Sequence, residues 1–156
     1  MKPSEPHFLA GTWCIVSTSL SFWKTRQNPR IRYTPEPVVS PYRELCLRDE
    51  VLYTRNGKPQ TVLGYDTPLS DTRFVWRGEP WYMRWLTSHW QVVLRGPEDC
   101  WVVTYFEKTL FTDAGVDVYA RQATLDAAVL REIYGQMAEV DVLKPFVGRM
   151  FLTGWG

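Results

Sequence analysis

Histidine is almost absent from this chain: two among 156 residues, His7 and His89. With so few, and no Cys/His spacing around them, no zinc-type ligand set forms. The three cysteines, Cys14, Cys46 and Cys100, make no Cys-x-x-Cys pair. An odd count also leaves no complete disulfide framework, so reduced thiols and a cytoplasmic location are expected. Met1–His7 lacks the apolar run of a signal peptide. No stretch approaches the ~18 consecutive apolar residues of a spanning helix, so no membrane span is expected. The formal net charge is +1, too small to select nucleic acid, an anionic membrane or an acidic substrate. Neither a P-loop, a Gly-x-Gly-x-x-Gly nor a Gly-x-Ser-x-Gly occurs, so ATP, NAD and α/β-hydrolase chemistry find no support. No cofactor and no metal are expected.

What the chain does have is aromatic mass. Phe, Trp and Tyr make up 15% of it, with eight Trp. Two readings stand side by side: large rings filling a thin core, or rings lining a pocket for a flat apolar ligand. The basic residues are thirteen Arg and five Lys, and Arg stacks on aromatic faces better than Lys. The length suits one domain, residues 1–156, with a core of its own.

Short β-type segments recur with turn signals between them, the pattern of a barrel or sandwich. Thr12–Phe22 reads as a long strand and residues 27–41, rich in Pro and charge, as a long loop. Tyr42–Leu47 and Glu50–Arg55 read as strands, with a bulge at Arg48-Asp49. Asn56-Gly57 is a two-residue hairpin signal. Gln60–Tyr65 returns, Asp66-Thr67-Pro68 turns, and Arg73–Arg77, His89–Arg95, Cys100–Lys108 and Val116–Gln122 follow. That makes about eight strands, the number whose closed barrel holds one small ligand. The period then changes. Val129, Leu130, Ile133, Met137 and Val140 share one helical face, predicting a helix over about 125–140 with Thr124 as its N-cap. Gly135 within it suggests a close approach to the barrel. Val147–Thr153 reads as a ninth strand or a trailing arm.

The opening strand, Phe8-Leu9-Ala10-Gly11-Thr12-Trp13, resembles the start of the lipocalin/calycin family, in which a Gly-x-Trp plugs the closed end of the barrel. Asp99 stands near that family's second acidic turn, with its Thr and Tyr replaced. The segment Val118-Tyr119-Ala120-Arg121 resembles its third motif, an Arg closing the last barrel strand. The resemblance implies an all-β, eight-stranded antiparallel lipocalin-like barrel with one C-terminal helix packed outside. It also implies that Trp13 and Arg121 meet at the closed end, a cation–π contact of roughly 0.5–2 kcal/mol, and that the first loop, taken as 27–41, covers the open end.

The helix sets the strand phase. With Val118 and Ala120 beneath it, Asp117, Tyr119 and Arg121 point into the lumen, as do Trp13, Ile15, Ser17 and Ser19. His89, Asp117 and Tyr119 are the candidate acid–base residues. The bland alternatives are a structural His in the wall and an ion pair between Asp117 and Arg121. Ser17, Arg73, Trp76, Trp85 and Tyr105 are the candidate ligand contacts. The expected partner is a small hydrophobic or aromatic molecule, bound by a monomer or homodimer. The protein then acts as a cofactor-independent cyclase or isomerase of a natural-product substrate, or alternatively as a non-catalytic carrier. A lumen with convergent polar groups favours the first and an apolar lumen the second; a filled core with no cavity would instead mark a third class, a protein-interaction domain.

Overall fold

A computed structural model describes residues 7–36, 46–79 and 86–156. Eight antiparallel strands close on themselves: β1 (Gly11–Thr18), β2 (Gln27–Glu36), β3 (Cys46–Arg55), β4 (Lys58–Pro68), β5 (Arg73–Gly78), β6 (Thr87–Arg95), β7 (Trp101–Phe106) and β8 (Gly115–Ala120). Each pairs with the next in sequence, and β1 closes the ring by pairing with both β8 and β2. A helix, α1 (Ala127–Ala138), and a short strand, β9 (Phe151–Leu152), lie outside, β9 pairing with β1 at Ser17 and Thr18. No helix among the described residues is long and apolar enough to cross a membrane.

Strand alternation divides the buried side chains into two clusters. Inside the barrel lie Trp13, Ile15, Ile31, Tyr33, Leu47, Tyr53, Phe74, Trp90, Val102 and Tyr119, among others. Between the barrel wall and α1 lie Val16, Trp101, Val103, Val116, Val118, Ala120, Ile133 and Met137. Two faces of one strand thus serve two cores. The predicted phase holds for Trp13, Ile15 and Tyr119 inside, and for Val118 and Ala120 beneath the helix.

Several boundaries differ from the sequence expectation. Residues 27–36, expected in a loop, form β2, because Ile31 and Tyr33 alternate inward between Arg30 and Arg32. The two prolines that disguise this strand sit where a missing N–H costs little. Pro29 lies at a register shift, and Pro35 lies beyond the last β1–β2 pair, Gly11 with Tyr33. The covering segment of the first loop is instead a 3-10 turn at Ser21–Thr25. Its Trp23 is buried edge-on against Tyr53 and Phe22, and the Arg26 guanidinium lies 3.6 Å over the Phe22 ring. The lumen is therefore stoppered at this end as well.

Arg48-Asp49 is no bulge: β3 pairs with β4 without a register shift from Leu47 to Arg55. Asp66-Thr67-Pro68 is no turn but the end of β4, paired with Trp76, Val75 and Phe74. The Asn56-Gly57 hairpin is as read, both residues at positive φ (52° and 74°). The helix begins at Ala127 with Asp126 at its N-cap, so Thr124 does not cap it. Gly135 is exposed, and an added Cβ there meets nothing within 4 Å. The helix makes no close approach at that point.

Candidate functional site

The closed end is held by Arg121. Its guanidinium lies 3.5 Å over the Trp13 ring. It donates to the carbonyls of Thr12 (3.0 Å), Phe8 (3.1 Å) and Ala10 (3.1 Å). One planar fork thus ties the N-terminal segment across the barrel bottom, which a point-charge ammonium cannot do as well. Asp99 does not join it but takes a bidentate pair from Arg95 at 2.6 and 2.8 Å. The Arg95 guanidinium in turn lies 3.8 Å over the Phe8 ring.

Above this plug the lumen is aromatic and tightly filled. Trp90 stacks between Phe74 (4.6 Å) and Phe106 (5.7 Å), with Tyr33 5.8 Å away. Trp13, Tyr33, Phe74, Trp90 and Tyr119 are each exposed by 3% or less.

Three aspartates sit among these rings. Strand register brings them to one interior: Tyr33 pairs with Asp49, Leu47 with Asp66, and Thr104 with Asp117. Alternation turns the side chains of Asp49, Asp66 and Asp117 to the inside, and all three are buried. Trp90 Nε1–H donates to Asp66 Oδ1 at 2.9 Å. Burial, the neighbouring Asp49 charge and the proton it donates to Asp49 push Asp66 well above the usual carboxylate range. Burial likewise pushes Asp49 up to about 6, although the hydrogen bond from Asp66 opposes it. Two carboxyls this close cannot both ionise, so one proton is shared between them. Beyond that proton, Asp49 Oδ1 and Asp66 Oδ2 have no hydrogen-bond partner.

Asp117 stands apart from the pair. Burial raises it to about 7 against the opposing hydrogen bond from Thr18. Its Oδ1 has no partner. Between Asp117 and the acid pair lie two tyrosines, Tyr33 and Tyr119, whose hydroxyls are 3.3 Å apart. Burial pushes both well above the usual phenol range, helped for Tyr33 by Tyr119 and then Asp49 and Asp66 and for Tyr119 by Asp117, so they remain hydrogen-bond donors.

The expected site residues therefore divide. Asp117 and Tyr119 point into the lumen, but Arg121 is engaged at the closed end rather than in an ion pair with Asp117. Trp76 packs on the interior cluster, against Gly64, where a Cβ would come within 2.3 Å of its ring nitrogen. Ser17 does not face inward. A bulge between Ile15 and Ser17 inserts a residue, so Val16 and Ser17 both turn out and Thr18 replaces Ser17 inside. The Ser17 hydroxyl instead meets Tyr134 Oη of α1 at 2.6 Å. Tyr105 also faces outward, 6.0 Å from Phe146, because Thr104 and Phe106 take the inward phase of β7. His89 and Arg73 lie on the outer wall, since Trp90 and Phe74 hold the inward positions beside them. Both line a small outer pocket of about 10 Å³ with Glu107. His89 further borders a rim groove of about 510 Å³ with Glu107, Lys108, Leu110 and Phe111. Trp85 lies outside the described residues.

Asp49, Asp66 and Tyr33 escaped the sequence reading. The available signal was alternation: Leu47, Asp49, Val51 and Tyr53 are one continuous period-2 face once no bulge is placed at 48–49.

Neither a protein-family model nor a curated protein matches the chain. Solved structures do. Apocrustacyanin C1 superposes with a TM-score of 0.70 at 12% identity, covering 99% of this chain and 82% of that one. H1 crustacyanin from the lobster Homarus americanus gives 0.69 at 12% identity, over 99% and 81%. The siderocalin Ex-FABP, a protein of dual ligand specificities, gives 0.61 at 12% identity, over 94% of both chains. This is the lipocalin fold. The Gly11-x-Trp13 opening and the Arg121 closure are its structural marks in this chain. At 12% identity the lipocalin likeness concerns architecture, and the interior of this lipocalin-like barrel has to be read from its own residues.

Proposed function

We propose that this lipocalin-like protein binds a small, mainly apolar or aromatic molecule in its lumen. The observation that carries the reading is the set of polar groups turned inward within an aromatic shell: Asp49, Asp66, Asp117, Tyr33 and Tyr119. A barrel stabilised only by packing would gain from apolar residues at these positions, because unpaired buried polar atoms cost roughly 1–3 kcal/mol each. Ligand binding by the structurally similar siderocalin supports the same reading. The filled interior means that the ligand displaces side chains. The partly buried Trp76, Phe106, Val51 and Val62, together with the Trp23 stopper, are the groups that yield. Native mass spectrometry of the protein purified from its own host, with gentle activation, tests this. A released small molecule supports the reading. An unliganded mass, persisting after exposure to aromatic and polyene compounds, refutes it.

A catalytic reading is favoured by one further observation. Asp117 combines an unpartnered oxygen with a carboxyl raised to about 7, and a carboxyl poised near neutrality can both take and return a proton. With Tyr119 as hydroxyl donor, the lumen would isomerise or cyclise its ligand without a cofactor, and the protein would work in the cytoplasm. The test is whether the released molecule is altered by fresh protein and left unaltered by Asp117→Asn. A ligand recovered unchanged in both cases assigns a carrier.

A further inference from the structure

The charge inventory of the lumen is one-sided. Three carboxyls are buried there, exposed by 5% or less. The groups acting on them are their own burial, each other, Glu50, Cys46, Thr18 and Trp90. Among the described residues, no guanidinium or ammonium acts on any of them. Arg121, four residues beyond Asp117, is spent on Trp13 and three carbonyls at the closed end. Arg26 is stacked on Phe22 near the stopper and bonded to the Phe22 carbonyl at 2.7 Å.

The three carboxyls are not equivalent. Asp49 and Asp66 share a proton and so satisfy one another in part. Asp117 has no acid neighbour among the causes acting on it. The Thr18 hydroxyl acts on its carboxyl, and its Oδ1 has no hydrogen-bond partner. It lies two residues from Tyr119 on the inward face of β8 and opposite Thr18 near the end of β1. That end of the strand carries the Trp23 stopper, so Asp117 is the first of the three carboxyls that an incoming molecule meets. A buried acceptor without a donor, among aromatic rings, is complementary to a group with N–H donors, a positive charge and an apolar body.

Building on the lumen reading above, we propose that the ligand is an amine: a small aromatic or aliphatic ammonium compound whose charged nitrogen donates to Asp117 Oδ1. The ring or chain of the ligand lies against the lumen aromatics. An anionic ligand is excluded by the same carboxyls, which would face it without a counter-charge.

The experiment is calorimetric titration of the whole chain with three probes of similar size: phenethylamine, 2-phenylethanol and phenylacetate. The amine is expected to bind at least about tenfold tighter than the alcohol, the usual scale of one charge-assisted hydrogen bond, with phenylacetate weakest. In Asp117→Asn, which keeps the shape, the amine and the alcohol are expected to bind within about twofold of each other. In Thr18→Val, which leaves the carboxyl and removes its hydroxyl donor, the amine preference is expected to persist. The outer-wall variant His89→Ala should leave it unchanged. An alcohol that binds as tightly as the amine, or a preference that survives Asp117→Asn, overturns the amine assignment while lumen binding stands. Loss of the preference in His89→Ala moves the amine to the rim groove and also overturns it. Should none of the probes bind, both the amine assignment and the lumen reading fall.

Discussion

Replacing Asp117 by Asn should stabilise this protein at alkaline pH and leave it little changed in acid. Asp117 is fully enclosed, and burial raises its carboxyl from 3.8 to about 7. The unfolded chain releases this proton near pH 4, whereas the folded chain holds it until about pH 7. Between those values the folded state binds more protons, so stability falls as pH rises. At about 1.4 kcal/mol per pH unit the interval amounts to about 4 kcal/mol. Asn carries no charge to bury, so the variant escapes that loss. Urea denaturation at pH 4, 5.5, 7 and 8.5 is the assay. At pH 8.5 the variant is expected to exceed the parent by about 2–4 kcal/mol, or roughly 5–15 °C in Tm. At pH 4 the two should agree within about 1 kcal/mol. A residual fall with pH should remain in the variant, because burial also raises Asp49 to about 6 and holds Asp66 well above the usual carboxylate range. A variant that is weaker than the parent by one constant amount at every pH would refute the reasoning. It would mean that Asp117 is ionised and paired in the folded protein.

Arg121→Ala should cost about 2–4 kcal/mol in urea denaturation, through its ring contact and three carbonyl bonds, and Arg121→Lys should restore less than half of that. Trp90→Phe removes the indole donor to Asp66 at 2.9 Å; the expected loss is about 1–3 kcal/mol, with proton release from the acid pair moved to higher pH by NMR titration. Ser17→Ala should loosen α1 by about 1 kcal/mol, the double variant with Tyr134→Phe should cost little more, and hydrogen exchange of the helix amides measures both. Gly135→Ala should raise stability by about 0.5–1 kcal/mol, since the position is helical, exposed and without neighbours.

The barrel was legible because its determinants are local and periodic. Asn56-Gly57 names its own turn, since few residue pairs accept two positive φ values. Gly11-x-Trp13 and Arg121 are short markers whose meeting follows from the fold they announce. Val118 and Ala120 betray the helix-facing side of β8, so the inward course of Tyr119 and Asp117 followed by alternation alone. The reading failed where alternation is reset. One bulge after Ile15 exchanged Ser17 for Thr18 inside the barrel, and no composition signal marks such an insertion. Pro29 and Pro35 hid β2, because proline reads as a loop unless the strand's neighbours are known. His89 and Arg73 looked like site residues by type, yet a one-residue phase placed them outside.

By itself the sequence determined the antiparallel barrel class, the helix that follows the strands, the plug at the closed end and the inward course of β8. These depend on which residues lie near one another along the chain. The expected eight strands came out right only because the missed β2 was offset by counting β3 as two. Only the tertiary structure decided that Asp49, Asp66 and Asp117 share one interior with Tyr33 and Tyr119. Asp117 and Tyr119 lie about fifty residues beyond Asp66, and their proximity to Tyr33, Asp49 and Asp66 arises from register across the closed ring. Register also decided their protonation. A carboxyl is charged or neutral according to the water and partners around it, and those are properties of the closed barrel rather than of any segment.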